Sequence, residues 1–314
     1  MQMTIEQKEI FQLMFRVKIY KKSGSEFETF FTEIMYKVDK DFIQVKPQGK
    51  KGDKKNDGYN PKKGIYYQVY APENIDTKFA LEKMEGDLQG LFNYWNEFCP
   101  IKEYNFVIND KYLGVYPDIN RKIIELGKKY KIRTNLLLSK DLENMYMKLE
   151  YEEMVEIMGN ILVPEAKEIS FIDLNEIIEY IMKMDYNIEE IGLIKPAEME
   201  EKIIFNNLNK KISDIINKYS IYTGKLEEYF SNKGDFEREK IQKKLIQLYK
   251  ETKVKIKDDI PDCSSLRFLA IVERILPKKR SFSIVQALYV LLAYYFETCD
   301  ILENPNKKGE NIKC

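Results

Sequence analysis

Histidine is missing altogether from these 314 residues. That absence removes the Ser–His and Cys–His nucleophile pairs, the H-E-x-x-H zinc motif and any imidazole general base. Cysteine is sparse: Cys99, Cys263, Cys299 and Cys314 stand far apart with no C-x-x-C spacing, which argues against a structural zinc site. With no signal peptide evident, the four are expected to be reduced thiols of a cytoplasmic protein. Excess charge of either sign is also lacking. Lys+Arg and Asp+Glu both number 51, so net charge selects no partner. The most apolar stretch, residues 283–296, is interrupted by Gln286, and it falls short of the ~20 residues that span a bilayer. No membrane span is expected. A G-x-x-x-x-G-K-S/T phosphate loop is absent too, as are internal repeats and low-complexity tracts.

What is present and unusual lies between Gly49 and Pro72, G-K-K-G-D-K-K-N-D-G-Y-N-P-K-K-G-I-Y-Y-Q-V-Y-A-P. Gly49, Gly52, Gly58, Gly64 and Pro61 break both helix and strand, so its first half reads as irregular. Ile65 to Tyr70 is β-branched and aromatic and reads as a short strand. Two aspartates, Asp53 and Asp57, therefore sit on a loop feeding a strand that carries Gln68. From Lys46 to Lys63 there are seven lysines (46, 50, 51, 54, 55, 62 and 63) against those two aspartates. Such a surplus suits a polyanion, and equally a solvated surface loop.

Around this stretch the pattern predicts a mixed α/β domain over residues 1–149. Residues 4–21 have helical periodicity. Ser25 stands three residues before Glu28, the spacing of a capping box for a second helix that buries Phe27, Phe30, Phe31, Ile34, Met35 and Val38. Phe42 to Lys46 alternates as a strand. Asp76 is a candidate N-cap for a helix over Thr77–Phe98, in which Gly86 and Gly90 are read as admitting another backbone. Strands over Tyr104–Ile108 and Ile132–Leu138 and helices over residues 118–130 and from Ser139 or Asp141 to Leu149 complete the domain. This order indicates a sheet with helices packed on it. Residues 150–314 show helical periods, one of them running from Met199 to Tyr219, and almost no strand signal. Their last helix, Phe282 to Leu302, is apolar on nearly all sides and must be buried, in a bundle of its own chain or in a partner.

Without histidine, hydrolytic chemistry narrows to carboxylates, as an acid/base pair or as ligands of a hard cation. Magnesium takes oxygen ligands, usually only one or two of them protein carboxylates. Asp57 can supply one ligand, Gln68 an amide oxygen, and Glu28 on the preceding helix a third. An ion so held would activate water and neutralise charge on a phosphate. The lysines would hold nucleic acid through its phosphates, contacts that carry no sequence information. Against this, Asp53 and Asp57 beside glycines are favoured turn formers, Gln68 can serve backbone groups, and Asn109-Asp110, ending a strand, suits a turn at least as well as a site.

The helix with Glu28, a strand, G-D-K-K-N-D-G-Y, a strand with Y-Q-V-Y, a helix and a strand together resemble the PD-(D/E)xK, restriction-endonuclease-like superfamily. Its core order is helix-strand-strand-strand-helix-strand. The resemblance puts Asp57 in place of the superfamily aspartate, Gln68 in place of its Glu or Gln, and Glu28 in place of the helical glutamate. It implies a hydrolase that uses magnesium or manganese. The departure is Tyr70, where the superfamily usually has lysine; Lys83 on the next helix and Lys46 on the preceding strand are the candidate replacements. A second resemblance is carried by Q-V-Y-A-P, K-M-E-G-D-L-Q-G and, most specifically, Phe296, Glu297, Cys299, Asp300, Ile301, Glu303 and Pro305. These look like proteins of the prokaryotic ABC-three-component systems, which implies an effector of an antiphage module associated with a separately encoded ATPase. Two functions follow as expectations: a metal-dependent DNA endonuclease, or a catalytically inactive module of the same fold that binds nucleic acid or the ATPase. Action on RNA or nucleotides and oligomerisation both remain open.

Overall fold

Phe27, Phe30, Phe31, Ile34 and Met35 recur at three- and four-residue spacing, and in the computed structural model they form the buried face of α2 (Gly24–Val38). The structure describes residues 3–46, 55–159, 169–185, 197–278, 281–298 and 301–306. Asp53, Lys50, Lys51, Lys54, Cys299, Asp300 and Cys314 lie outside them. The chain divides into two compact units, one comprising Lys18–Met158 with Met1–Met3 and the other Gly159–Cys314 with Thr4–Val17, so that α1 (Ile5–Lys21) contributes to both.

The first unit holds a five-stranded mixed sheet in sequential order: β1 (Ile43–Gln44), β2 (Gly58–Asn60), β3 (Ile65–Tyr70), β4 (Glu103–Ile108) and β5 (Arg133–Leu137). The first three strands run antiparallel to one another, and β3, β4 and β5 run parallel. Parallel neighbours need a crossover. α3 (Thr77–Trp95) and α4 (Pro117–Tyr130) supply the two. Both pack on the face that carries Tyr66, Tyr70, Tyr104, Phe106 and Ile108. On the other face Phe31 of α2 meets Tyr67, with ring centroids 5.7 Å apart. α5 (Ser139–Tyr146) and α6 (Tyr151–Met158) pack on α2.

Several local expectations change. Ser23, not Ser25, occupies the N-cap of α2, and its hydroxyl donates to Glu73 instead of capping the helix. Val38 is exposed. The strand expected over Phe42–Lys46 shortens to β1, and β2 lies in a stretch read as irregular. Its Gly58 serves packing: a Cβ there would sit 2.2 Å from the Phe42 ring. Gly64 is a true turn glycine, with φ +68. Asp76 does cap α3, accepting from the Phe79 N–H at 2.7 Å. Gly90 of that helix admits not a backbone but the stem of Lys55.

The second unit is helical: α7 (Phe171–Met182), α8 (Met199–Phe205), α9 (Lys210–Ser220), α10 (Thr223–Lys233), α11 (Asp235–Lys255), α12 (Cys263–Ile275) and α13 (Phe282–Thr298). The single helix suggested by the pattern from Met199 to Tyr219 is two, because Asn207 turns left-handed (φ 46) and Asn209 caps α9. The apolar helix α13 is buried from Ile284 to Phe296 against α7, α9 and α10, a bundle of its own chain. Buried cations close helix ends here. Lys244 donates to the carbonyls of Ile181, Met182 and Met184 at 2.8, 2.7 and 2.6 Å, and Lys202 donates to that of Phe296 at 2.7 Å. Cys99 is a free thiol, whereas Cys263 is disulfide-bonded, against the expectation of reduced thiols throughout. Among the described residues no helix is long and apolar enough to cross a membrane.

Candidate metal and phosphate site

Asp57 immediately precedes β2 and is held from both sides of its main chain. Its N–H donates to Tyr67 O at 3.1 Å and its carbonyl accepts from Val45 N at 3.2 Å. Its carboxylate then continues the ladder where the β2 backbone stops. Oδ2 accepts from the Val69 N–H and from Gln68 Nε2, both at 2.6 Å. Two charge-assisted hydrogen bonds offset part of the cost of burying this carboxylate, which is 5% exposed.

Alternation along β3 turns Tyr66, Gln68 and Tyr70 toward α3 and α4, and Tyr67 and Val69 toward α2. The parallel register sets Tyr66 opposite Tyr104 and Gln68 opposite Phe106, which places Tyr104 diagonally across from Gln68 on the same face. Three orphaned polar groups gather around Asp57 in sequence or on this face. Gln68 Oε1, the Tyr104 hydroxyl and both amide atoms of Asn56 are buried without a hydrogen-bond partner. Each such group costs about 1–3 kcal/mol unless a water or a ligand satisfies it. Burial, followed by the charges of Asp87 and Asp57, raises the Tyr104 pKa far above its ordinary value. The phenol therefore stays protonated, within electrostatic reach of both carboxylates.

Asp87 is a residue that sequence reasoning passed over. It lies on the buried face of α3, three residues after Met84, and a carboxylate on an apolar stripe was the available signal. Lys83 Nζ reaches its Oδ2 at 2.6 Å, one helical turn away, and Lys55 Nζ reaches Oδ1 at 2.9 Å. Lys55 is placed with unusual care. Its φ of 66° is left-handed, and its stem crosses α3 in the notch at Gly90, where a Cβ would lie 2.8 Å from its Cγ. A left-handed lysine costs about 1–2 kcal/mol, and ordering its side chain up to about 2 kcal/mol more. Lys83 and Lys55 thus share the two oxygens of one buried carboxylate.

Of the residues anticipated from sequence, Asp57 and Gln68 are brought together directly. Glu28 is half-buried on α2, the helix packed through Phe31 on the Tyr67 face, opposite the face that bears Gln68. The Lys83 ammonium is engaged by Asp87. Tyr70 belongs to the core, its ring stacked on Phe106 at 5.9 Å, and burial raises its pKa. Among the described residues no group of three or more Asp, Glu, Cys or His side chains stands close enough to hold a metal ion. The basic stretch is less cationic than its composition. Of its described lysines, Lys46 is exposed, while Lys62 pairs with Asp41 at 2.6 Å, Lys63 with Asp39 at 3.7 Å and Lys55 with Asp87. Asn109 and Asp110 are engaged structurally. Asn109 Nδ2 donates to the carbonyls of Ile19 and Lys22, and Asp110 accepts from Gly114 N and Ser139 N.

In the helical unit the residues near the C-terminus do structural work as well. Ile301 and Leu302 are buried. The Glu303 carboxylate accepts from Tyr249 at 2.6 Å and Lys253 at 2.5 Å, while its main chain exchanges two hydrogen bonds with the Asn206 amide. Replacing Glu303 by alanine would take their charged acceptor from the buried Tyr249 hydroxyl and the half-buried Lys253 ammonium. We expect a loss of about 2 kcal/mol, read as a lower urea midpoint for helix unfolding.

A mixed α/β sheet unit bearing a buried Asp–Gln pair, continued by a helical bundle, defines the class of this protein. Residues 172–303, most of that bundle, match the model of C-terminal domain 10 of the ABC-three component (ABC-3C) systems, and it is this region of the chain that is similar to such a domain. No curated protein and no solved structure matches it.

Proposed function

We propose that this chain is the effector of a prokaryotic antiphage system and that its sheet-bearing unit is a metal-dependent DNA endonuclease. The observation that carries the reading is the buried Asp57–Gln68 pair, with Gln68 Oε1 and the Tyr104 hydroxyl unpartnered beside it. The order α2-β1-β2-β3-α3-β4, with an aspartate opening β2 and a glutamine along β3, supports it, being the order of the PD-(D/E)xK core.

The residues present fit a hard cation in part. One carboxylate and one amide oxygen are acceptable magnesium ligands, with water and substrate phosphate supplying the others. Gln68 turns its nitrogen to Asp57 because a carboxylate needs a donor; turning the amide over would present Oε1 beside Asp57 as a second ligand. Magnesium or manganese held there would supply an activated water and charge neutralisation at the phosphate. Tyr104, kept protonated by its surroundings, would donate to an oxygen on the sheet side. Lys83, with Lys55, would supply the positive charge that Tyr70 does not. The chain has no phosphate loop, so nucleotide hydrolysis in such a system would fall to a separate ATPase.

The test is nicking of supercoiled plasmid by the purified chain in magnesium or manganese, with and without an ATPase component. Cleavage should be lost in Asp57→Asn and reduced by about 100-fold or more in Gln68→Ala. Wild-type rates in Asp57→Asn would overturn the assignment. A second reading, an inactive module that binds nucleic acid or the ATPase, is favoured by Tyr70 in the core and by the hydrogen bonds already saturating Asp57 Oδ2. It predicts binding with no cleavage in any divalent metal.

A further inference from the structure

We propose that the groove between α7 and α10 is a docking site for a partner polypeptide, which seats an apolar side chain there with a carboxylate beside it. The inference concerns the helical unit alone and does not depend on the nuclease reading. The groove measures about 400 Å³. Phe171 and Ile172 of α7 and Tyr229 of α10 supply its apolar lining, and the Tyr229 hydroxyl ties the two helices together by donating to Asn175 Oδ1 at 2.8 Å. Its apolar wall is open to solvent: Ile172 is 79% exposed, and Phe171 is exposed as well. The patch continues beyond the groove. Ser283 donates to Asp173 at 2.7 Å, which brings the start of α13 to the first turn of α7, and the neighbouring Phe282 is also exposed. Exposed apolar side chains gathered on one surface, unlike scattered ones, mark an interaction site.

Shape and charge choose the occupant. A small ligand is held where about 70–90% of its surface is covered, and a groove walled by a side chain as open as Ile172 does not enclose one. A side chain carried on a polypeptide needs cover on one side only, and its neighbours add contacts along the patch. The charge is one-sided. Lys233 is the charged residue of the lining, and among the described residues it makes no ion pair; its ammonium stands 6.0 Å from the centre of the Tyr229 ring. Glu179, the acid whose charge Lys233 reaches, already accepts from Asn175 at 2.8 Å and meets Lys183 at 3.6 Å. Lys225 lies over the Phe171 ring at 4.1 Å, and its own acid, Glu228, is a solvent-exposed partner at 3.3 Å, a pair worth about 0–1 kcal/mol. A carboxylate beside the seated side chain therefore meets Lys233, whereas a basic neighbour is repelled.

The probe is a phage-displayed library of random peptides, panned on the immobilised full chain; selected peptides are then labelled with fluorescein and titrated by anisotropy. Panning should select an apolar residue flanked by aspartate or glutamate. Ile172→Asp should weaken these peptides about tenfold or more. Because Ile172 is exposed and an acid suits the first turn of a helix, this variant should keep its urea midpoint. Lys233→Glu should do more than weaken binding. Panned in its turn, it should select lysine or arginine in place of the acids, a change of specificity that a structural role for Lys233 would not produce. Lys210→Glu, an exposed lysine at the start of α9, should change affinity by no more than about twofold. A library that yields no peptide sensitive to Ile172→Asp, or selected peptides without acidic residues, would overturn the proposal. So would a dimer of the purified chain that Ile172→Asp dissolves, because the occupant would then be a second copy.

Discussion

Raising the pH above 10 should unfold the sheet-bearing unit steeply, by about 5 kcal/mol over one pH unit. Four of its tyrosines, Tyr66, Tyr67, Tyr104 and Tyr146, are buried, and all four have pKa values raised well above 10.0, with burial as the first cause in each. Tyr67 is pushed further by the charges of Asp39 and Glu103. An unfolded tyrosine releases its proton near pH 10, and these folded ones do not. Between those values the unfolded chain binds fewer protons than the native one. Stability is therefore fully present below pH 10 and lost as the pH rises toward the folded values. Each group contributes a slope of up to about 1.4 kcal/mol per unit, and four acting together rival the 5–15 kcal/mol of a typical domain. The helical unit shares the trend through Tyr229, pushed up to about 12 by burial and then by Glu237. Urea midpoints at rising pH, followed alongside tyrosinate absorbance, check this. Tyrosinate should appear with unfolding, and Tyr104→Phe should flatten the slope. Titration near pH 10 with the fold intact would contradict it.

Arg267→Met should cost the helical unit about 3 kcal/mol or more. Arg267 is fully buried on α12. Its Nε and Nη2 donate to the Ile256 carbonyl at 2.9 and 2.7 Å, and Nη2 meets Asp258 at 2.5 Å. Methionine approximates the stem and removes every donor, leaving the carbonyl at the end of α11 and a half-exposed carboxylate without it. The loss should spread. Arg267 also hydrogen-bonds Tyr249, whose hydroxyl donates to Glu303. A cycle of Arg267→Met with Tyr249→Phe, measured by urea unfolding, should therefore show coupling of about 1 kcal/mol. Strict additivity would mean that the two side chains act separately.

Much of this architecture was legible from periodicity. The stripes of α2 and α3, the N-cap at Asp76, the strand from Ile65 to Tyr70 and the burial of α13 follow from side-chain spacing and from the need to cover apolar surface. Misreadings have local causes. In a linear pattern Gly58 reads as a breaker, because its use, making room for Phe42, arises only once two strands pair. The break between α8 and α9 depends on one left-handed asparagine inside an otherwise helical pattern. At the candidate site, Asp57 and Gln68 stood out by residue type, whereas Asp87, Tyr104 and the part played by Lys55 did not, being ordinary members of a helix, a strand and a loop.

By itself, then, the sequence determined the chemistry open to this protein: no imidazole, one aspartate-bearing loop, one glutamine on the following strand, and no phosphate loop. It also determined the helices and most of the strands, since local periodicity is a property of neighbouring residues. Tertiary structure alone decided which side chains meet. The pairing of β2 with β3 carries the Asp57 carboxylate to Gln68 and Val69, the parallel register of β4 lays Tyr104 beside them, and the crossing of Lys55 over Gly90 brings a second ammonium to Asp87. These contacts join separate elements and depend on strand register and helix docking, which a linear pattern does not encode.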